Sequence, residues 1–269
     1  MRESSGIITL LSDFGSALGY VAQMKGVILG LNPRAWAVDI DHAVTAQNIA
    51  CAALTLEQTA PYFPDGSVHL AVVDPGVGGS RRAVIVETGR AFFVGPDNGL
   101  FGFLRRAGQL RALYEIDAAR LAPAGYSSTF HGRDIFAPAA ARLALGQNPL
   151  DFARLCDDPP LELPQPENRA DADSLEGRIV CADAFGNLLT SINQAELAAW
   201  AAARPGVPVF VAYKNLEIPL VKTFSDTPVG VFLACIGSGG RLEIAVNCGD
   251  ARRQSQAREG EAVRLKFRQ

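Results

Sequence analysis

Neither sign of charge prevails in the chain: 25 basic residues stand against 28 acidic ones, for a net charge of -3. That balance leaves no electrostatic footprint for nucleic acid or an anionic membrane, and it favours a small-molecule partner. No long apolar run is present either. Val229 to Ile236 falls far short of the roughly 20 residues that cross a bilayer, and Met1-Arg2-Glu3-Ser4-Ser5 has no apolar signal core. The five cysteines, at 51, 156, 181, 235 and 248, are odd in number and never spaced as CxxC, which argues against a disulfide framework and a zinc site. Only three histidines occur, none in an HxH or HExxH arrangement. There is no Walker loop and no GxGxxG, and Gly237-Ser238-Gly239-Gly240 lacks the order of a GxSxG nucleophile elbow. No internal repeat is found. From these absences we expect a soluble, reduced, cytoplasmic protein that holds no metal.

What is present is enough apolar sequence, 48%, for a substantial core over 269 residues, and the length suits two domains. Ile7 to Ser12 reads as a strand ending at Asp13-Phe14-Gly15, Tyr20 to Leu31 as a helix closed by Asn32-Pro33, Ala35 to Ile40 as a strand, Thr45 to Thr59 as a helix and Val68 to Val73 as a strand. This alternation predicts a mainly parallel sheet flanked by helices, with ligands beyond the carboxyl ends of its strands, where Asp13 and Asp74 fall. Ala83 to Glu87 and Ala91 to Val94 read as a hairpin, Gly95 to Gly99 as a loop, and Asp134 to Leu145 as a helix. We expect an N-terminal α/β domain over 1–158, a proline-rich linker over 159–173, and a smaller all-β barrel over 174–269. The barrel reading rests on the runs Gly177 to Cys181, Leu188 to Ile192, Val207 to Tyr213, Val229 to Cys235, Arg241 to Val246 and Ala262 to Phe267.

Two packets carry the chemistry. Val72-Val73-Asp74-Pro75-Gly76-Val77-Gly78-Gly79-Ser80-Arg81 leads a strand into an acid, three glycines and an arginine, and the glycines permit close backbone approach. The bland reading is a structural turn in which Asp74 caps nearby amides. Thr129-Phe130-His131-Gly132-Arg133-Asp134 offers a histidine between small and charged residues, with Asp134 placed to cap a helix start. His69, inside a strand, reads as packing, and His42, in Asp39-Ile40-Asp41-His42, is a weaker candidate. Asp183-Ala184-Phe185-Gly186-Asn187 reads locally as a turn.

Taken together and in order, Ser12-Asp13-Phe14-Gly15, Val73 to Gly78, Pro96-Asp97-Asn98-Gly99-Leu100, Phe130 to Asp134, Asp183 to Asn187 and Leu242 to Asn247 resemble the S-adenosylmethionine hydrolase, chlorinase and fluorinase family. The resemblance implies a trimer with sites between one subunit's first domain and its neighbour's second. By position Asp13 corresponds to the carboxylate that holds the ribose hydroxyls. Asp183, Asn187 and Ser238 correspond to methionine-side and nearby nucleoside contacts, and the backbone of Val246, Asn247 and Cys248 to the adenine-reading segment. Asp74, Arg81 and His131 match the hydrolase set, whereas halogenating relatives carry an aromatic residue at the Asp74 position. The implied reaction is attack of an activated water or hydroxide on ribose C5′ with methionine leaving. Asp74 and His131 position and deprotonate the water while Arg81 fixes the acid, with no cofactor. Halide transfer to the same substrate, and a non-catalytic S-adenosylmethionine or adenosine sensor, are the rival readings. Two positions depart from the family pattern: Leu18 stands where many relatives place an acid, and Gly239 where a halogenating relative has an arginine.

Overall fold

The computed structural model describes residues 3–164 and 168–268, and the chain divides into two compact units, Met1–Leu163 and Pro164–Gln269. In the first, β1 (Ile7–Ser12) leads through α1 (Tyr20–Leu31) to β2 (Trp36–Asp41), and α2 (Ile49–Thr59) leads to β3 (Val68–Val72). The hairpin β4 (Ala83–Thr88) and β5 (Phe92–Pro96) follows, then α3 (Gly102–Arg106), β6 (Leu110–Ile116), α4 (Ala118–Leu121), a π-helical turn over Gly132–Phe136, α5 (Ala137–Ala144) and β7 (Ala153–Cys156). The seven strands lie in the order β2-β1-β3-β5-β4-β6-β7. β2, β1, β3 and β5 pair in parallel, while β4, β6 and β7 join antiparallel, so five strands run one way and only β4 and β7 oppose them. The α/β expectation holds.

From β1 the chain passes first to β2 on one side and then to β3 on the other. The carboxyl ends of β1 and β3, paired Ser12 to Val72, therefore flank the switch in strand order where a crevice opens in such sheets. The core beneath is Ile8, Leu10, Val68, Leu70, Ile85, Val94 and Phe136, and the buried alanines 137, 139, 140 and 141 let α5 lie close upon it.

Several boundaries differ from the sequence reading, each for a local reason. Helix α2 begins at Ile49 rather than Thr45, because Gln47 adopts a left-handed φ of 65° and Asn48 caps the helix by accepting the Cys51 amide. Gly95 and Pro96 belong to β5, not to a loop. A side chain at Gly95 would sit 2.2 Å from the Ala71 carbonyl, so glycine is what lets β5 approach β3 there. β6 and β7 extend the sheet beyond the strands read from sequence. Of the stretch 159–173 expected as a linker, residues 165–167 lie outside the described residues. Ahead of them, the Pro159 carbonyl accepts from Arg82 and the Leu161 amide donates to Asp97, which fastens that segment to the first unit.

His69, on β3, is buried in the first unit's interior, bonded through Nδ1 to the Thr9 hydroxyl at 2.8 Å and 4.7 Å from the Phe93 ring centroid. Burial, with some help from the charge on Arg90, pushes its pKa down to about 4. Between pH 6.5 and 4 the unfolded chain takes up this proton and the folded one does not, so stability falls as pH drops through that window. The expected loss is about 3 kcal/mol. Urea melts of wild type and His69→Phe across that range check it: the variant should show a flatter pH dependence, and parallel curves would contradict the assignment.

The second unit is antiparallel. β8 (Arg169–Ala170), β9 (Ser174–Ala182), β10 (Leu188–Asn193), α6 (Gln194–Ala201), β11 (Val209–Tyr213), β12 (Leu216–Pro219), β13 (Phe232–Ile236), β14 (Arg241–Val246), α7 (Ala251–Ser255) and β15 (Ala262–Phe267) follow one another. The sheet runs β12-β11-β15-β9-β10-β14-β13, with β8 beside β9. A bridge from Leu220 to Ala234 brings its two edges together into a nearly closed barrel around Leu188, Ile192, Val211, Leu242, Ile244 and Leu265. Closure removes the exposed strand edges an open sheet would present. The second strand of the β11–β12 hairpin and the helix α6 were not read from the sequence. Asn193 and Glu196 form a capping box that starts α6, and Trp200 on that helix stacks on Phe267 at 4.2 Å.

Candidate active site

Asp74 stands two residues beyond β3, where the strand's buried run Val68–Val73 gives way to Pro75 and the glycine-rich turn. The Val73 carbonyl accepts a hydrogen bond from the Asn98 side chain at 2.9 Å, which anchors the chain just ahead of the acid. Asn98 belongs to the Pro96-to-Leu100 motif but was assigned no role from the sequence. The turn brings Arg81 back onto Asp74: Nε lies 3.1 and 2.9 Å from the two carboxylate oxygens, and Nη2 also donates to Oδ2. Asp74 is therefore an ion-pair partner and not an amide cap. At 4% and 11% side-chain exposure the pair is almost wholly out of water, where removing either partner is expensive.

Gly78 makes this return possible. Its φ is 76°, and a Cβ would meet the Ser128 carbonyl at 2.4 Å, so the glycine both turns the loop and lets it close against the segment carrying His131. Arg81 lies over the Phe136 ring at 5.3 Å, in the π-helical turn that His131 precedes. The Tyr126 ring meets the His131 imidazole edge-on at 5.6 Å. Neither aromatic contact is legible as a motif.

Arg81 Nη2 is 2.7 Å from His131 Nδ1. A guanidinium only donates, so Nδ1 accepts, and the proton of the neutral ring sits on Nε2. That Nε2 is buried and has no hydrogen-bond partner among the described residues. Burial and the Arg81 charge hold the imidazole below its ordinary pKa, against the opposing pull of Asp74 and Asp134. The row Asp74–Arg81–His131 thus presents an anion at one end and a neutral, dry N–H donor at the other. Asp134 stands apart from this chemistry. It accepts the Ser127 amide at 2.8 Å and pairs with Arg133, so it secures the loop before the helix instead of capping the helix's own amides.

Asp13 projects from the end of β1, the strand beside β3. Its Oδ2 accepts the Gln47 amide at 2.8 Å, and no hydrogen bond joins it to the Asp74 row. Leu18, in the following loop, is 80% exposed with a φ of 58°.

In the second unit Asp183 and Asn187 come together in the β9–β10 turn. Asp183 accepts the amides of Phe185 and Asn187 at 2.9 and 2.8 Å and the Asn187 side chain at 2.9 Å. Much of the carboxylate's bonding capacity is thus spent on its own turn, as the local sequence reading allowed. Ser238 lies in the β13–β14 turn, closed by Gly237 and Arg241 at 2.9 Å. Val246 is buried at the end of β14, Asn247 donates its side-chain amide to the Thr227 carbonyl at 2.7 Å, and Cys248 is exposed with a φ of 53°. Glu243, which the sequence did not mark, is raised in pKa by burial and by the nearby Asp183 charge. Among the described residues no group of three or more His, Cys, Asp and Glu side chains is arranged to hold a metal ion, and no helix is long and apolar enough to cross a membrane.

The chain matches the models of the SAM hydroxide adenosyltransferase N-terminal domain over residues 8–153 and of its C-terminal domain over residues 177–264. It is 39% identical over 265 residues to an (R)-S-adenosyl-L-methionine hydrolase of Thermus thermophilus, covering 96% of this chain and 98% of that one. A fluorinase of Actinopolyspora mzabensis is more distant, at 26% over 297 residues and 97% of each chain. Among solved structures, an uncharacterized conserved protein from Thermotoga maritima superposes with a TM-score of 0.87 at 33% identity, over 96% of this chain and 99% of that one.

Proposed function

The chain belongs to the SAM hydroxide adenosyltransferase family, and from that premise we infer that it hydrolyses S-adenosyl-L-methionine to adenosine and L-methionine. The observation that carries the reading is the buried Asp74–Arg81–His131 row, which gathers a carboxylate acceptor and a neutral N–H donor in one cluster. Water attacks ribose C5′ from the side opposite the sulfonium, the C5′–S bond breaks, and its electron pair leaves with methionine as a neutral thioether. The leaving group needs no acid. Attack neutralises charge, so a dry site favours it, and the protein's task is to align the water and accept its proton.

The tautomer divides the labour. His131 Nε2–H donates to the water oxygen and fixes its orientation, while Asp74, an acceptor at every lone pair that Arg81 leaves free, takes the proton. Arg81 holds the carboxylate by a fork that an ammonium could not reproduce and keeps the imidazole neutral. Asp13 holds the ribose hydroxyls with the oxygen that Gln47 does not occupy. Asp183, Asn187 and Ser238 meet the methionine side, and the backbone at Val246, Asn247 and Cys248 reads the adenine. The nucleophile's residues and these latter residues belong to different units. In keeping with the family resemblance, we place the complete site between the first domain of one subunit and the second domain of its neighbour, in a cytoplasmic homotrimer that needs no cofactor. A monomeric mass by light scattering would contradict that placement.

Halide transfer fares worse on physical grounds. A carboxylate at the nucleophile's position faces a halide with like charge, whereas it readily accepts a hydrogen bond from water. Product chromatography with and without chloride tests the reading: adenosine and methionine are expected in both, 5′-chloroadenosine would overturn it, and binding without turnover would point to a sensor.

A further inference from the structure

We propose that His42, backed by Asp39, is a positioning residue that sets the Asp13 carboxylate for the ribose diol, an inference that rests on the reading of Asp13 given above. His42 follows β2 directly, and it grips the Asp13 turn at both ends. Its Nδ1 is 2.7 Å from the Ser12 hydroxyl, and its carbonyl accepts the Gly15 amide at 2.7 Å. The residue between those two contacts that carries a carboxylate is Asp13, whose own Oδ2 is pinned by the Gln47 amide at 2.8 Å.

The hydrogen-bond directions are fixed by the far end of the chain. Asp39 Oδ1 lies 3.0 Å from His42 Nε2, and Lys25, on α1, lies 2.6 Å from Asp39 Oδ2. Burial works against the Asp39 anion, but the hydrogen bonds from Lys25 and His42 outweigh it and hold its carboxyl below the usual range. A carboxylate only accepts, so His42 donates from Nε2, and in the neutral imidazole Nδ1 then accepts from the Ser12 hydroxyl. The Ser12 oxygen is then free to receive the Phe14 amide, at 3.4 Å. Lys25, Asp39, His42 and Ser12 thus form one directed row ending in the backbone on both sides of Asp13. Such a row confers little stability at the surface, where its outer members lie, but it removes the rotational freedom of a turn whose acid must meet two hydroxyls at once. Ser12 is buried, so its hydroxyl is closed to a substrate and the row ends in the backbone beside Asp13.

The test compares binding of adenosine with that of 2′,3′-dideoxyadenosine by calorimetry in wild type, His42→Ala, His42→Asn and Asp13→Asn. His42→Ala should weaken adenosine about tenfold while changing dideoxyadenosine less than about twofold, and His42→Asn, which restores an acceptor near the Nδ1 position, should recover most of the loss. A general loosening of the fold would weaken both ligands alike, and that result, or no loss at all, overturns the inference. Asp13→Asn separates the two readings. If it abolishes discrimination while His42→Ala keeps it, the positioning role alone fails; if Asp13→Asn discriminates as wild type does, the ribose assignment fails and takes this inference with it.

Discussion

Asp74→Asn should turn over S-adenosyl-L-methionine about a thousandfold more slowly than wild type while folding normally. The substitution keeps the shape of the side chain and an oxygen to accept from Arg81, but it removes the lone pair and charge that take the water's proton. Asp74→Ala should be at least as slow. Its interpretation is less direct, because it strands the Arg81 guanidinium, 11% exposed, without its anion, which itself costs about 3 kcal/mol or more. Steady-state kcat/KM with a thermal melt of each variant decides the matter. An asparagine variant within about tenfold of wild type would show that Asp74 is not the proton acceptor.

His131→Ala should lose about a hundredfold, the usual cost of one oriented donor, and His131→Gln should regain most of it. The reason is the tautomer. Arg81 occupies Nδ1 at 2.7 Å, so what His131 offers the reaction is the Nε2–H, and a glutamine amide reaches about the same place with the same donor. Were the imidazole the general base, glutamine could not replace it, and the two variants would be equally slow. The comparison of kcat between them therefore reports which group takes the proton, independently of how much either mutation disturbs binding.

Much of this was legible in the sequence, and the exceptions have physical causes. Strand β1 and helix α1 were read to their ends because an apolar run meets Asp13-Phe14-Gly15 at one boundary and Asn32-Pro33 stops the helix at another. The helical pattern in the sequence runs from Thr45, four residues ahead of α2, since nothing in Thr45 to Asn48 announces that Gln47 turns left-handed. Pro96 read as a loop residue, yet it pairs with Ala83 in β5. Asn193 and Glu196 carry a capping-box signal for α6, set among strand-like neighbours whose β pattern masks it. At the site, the types and order of Asp74, Arg81 and His131 were visible. That Arg81 lies between the other two was not, because it depends on Gly78 closing against Ser128 across fifty residues of chain. With the order of the three comes the tautomer, on which the proposed division between base and donor rests.

The most direct test is the fate of the water oxygen. Turnover of S-adenosyl-L-methionine in heavy-oxygen water with chloride present, followed by mass analysis of the separated products, should give adenosine carrying the heavy oxygen on C5′ and unlabelled methionine. A 5′-chlorinated nucleoside, or a nucleoside product without the label, would contradict attack of water on C5′.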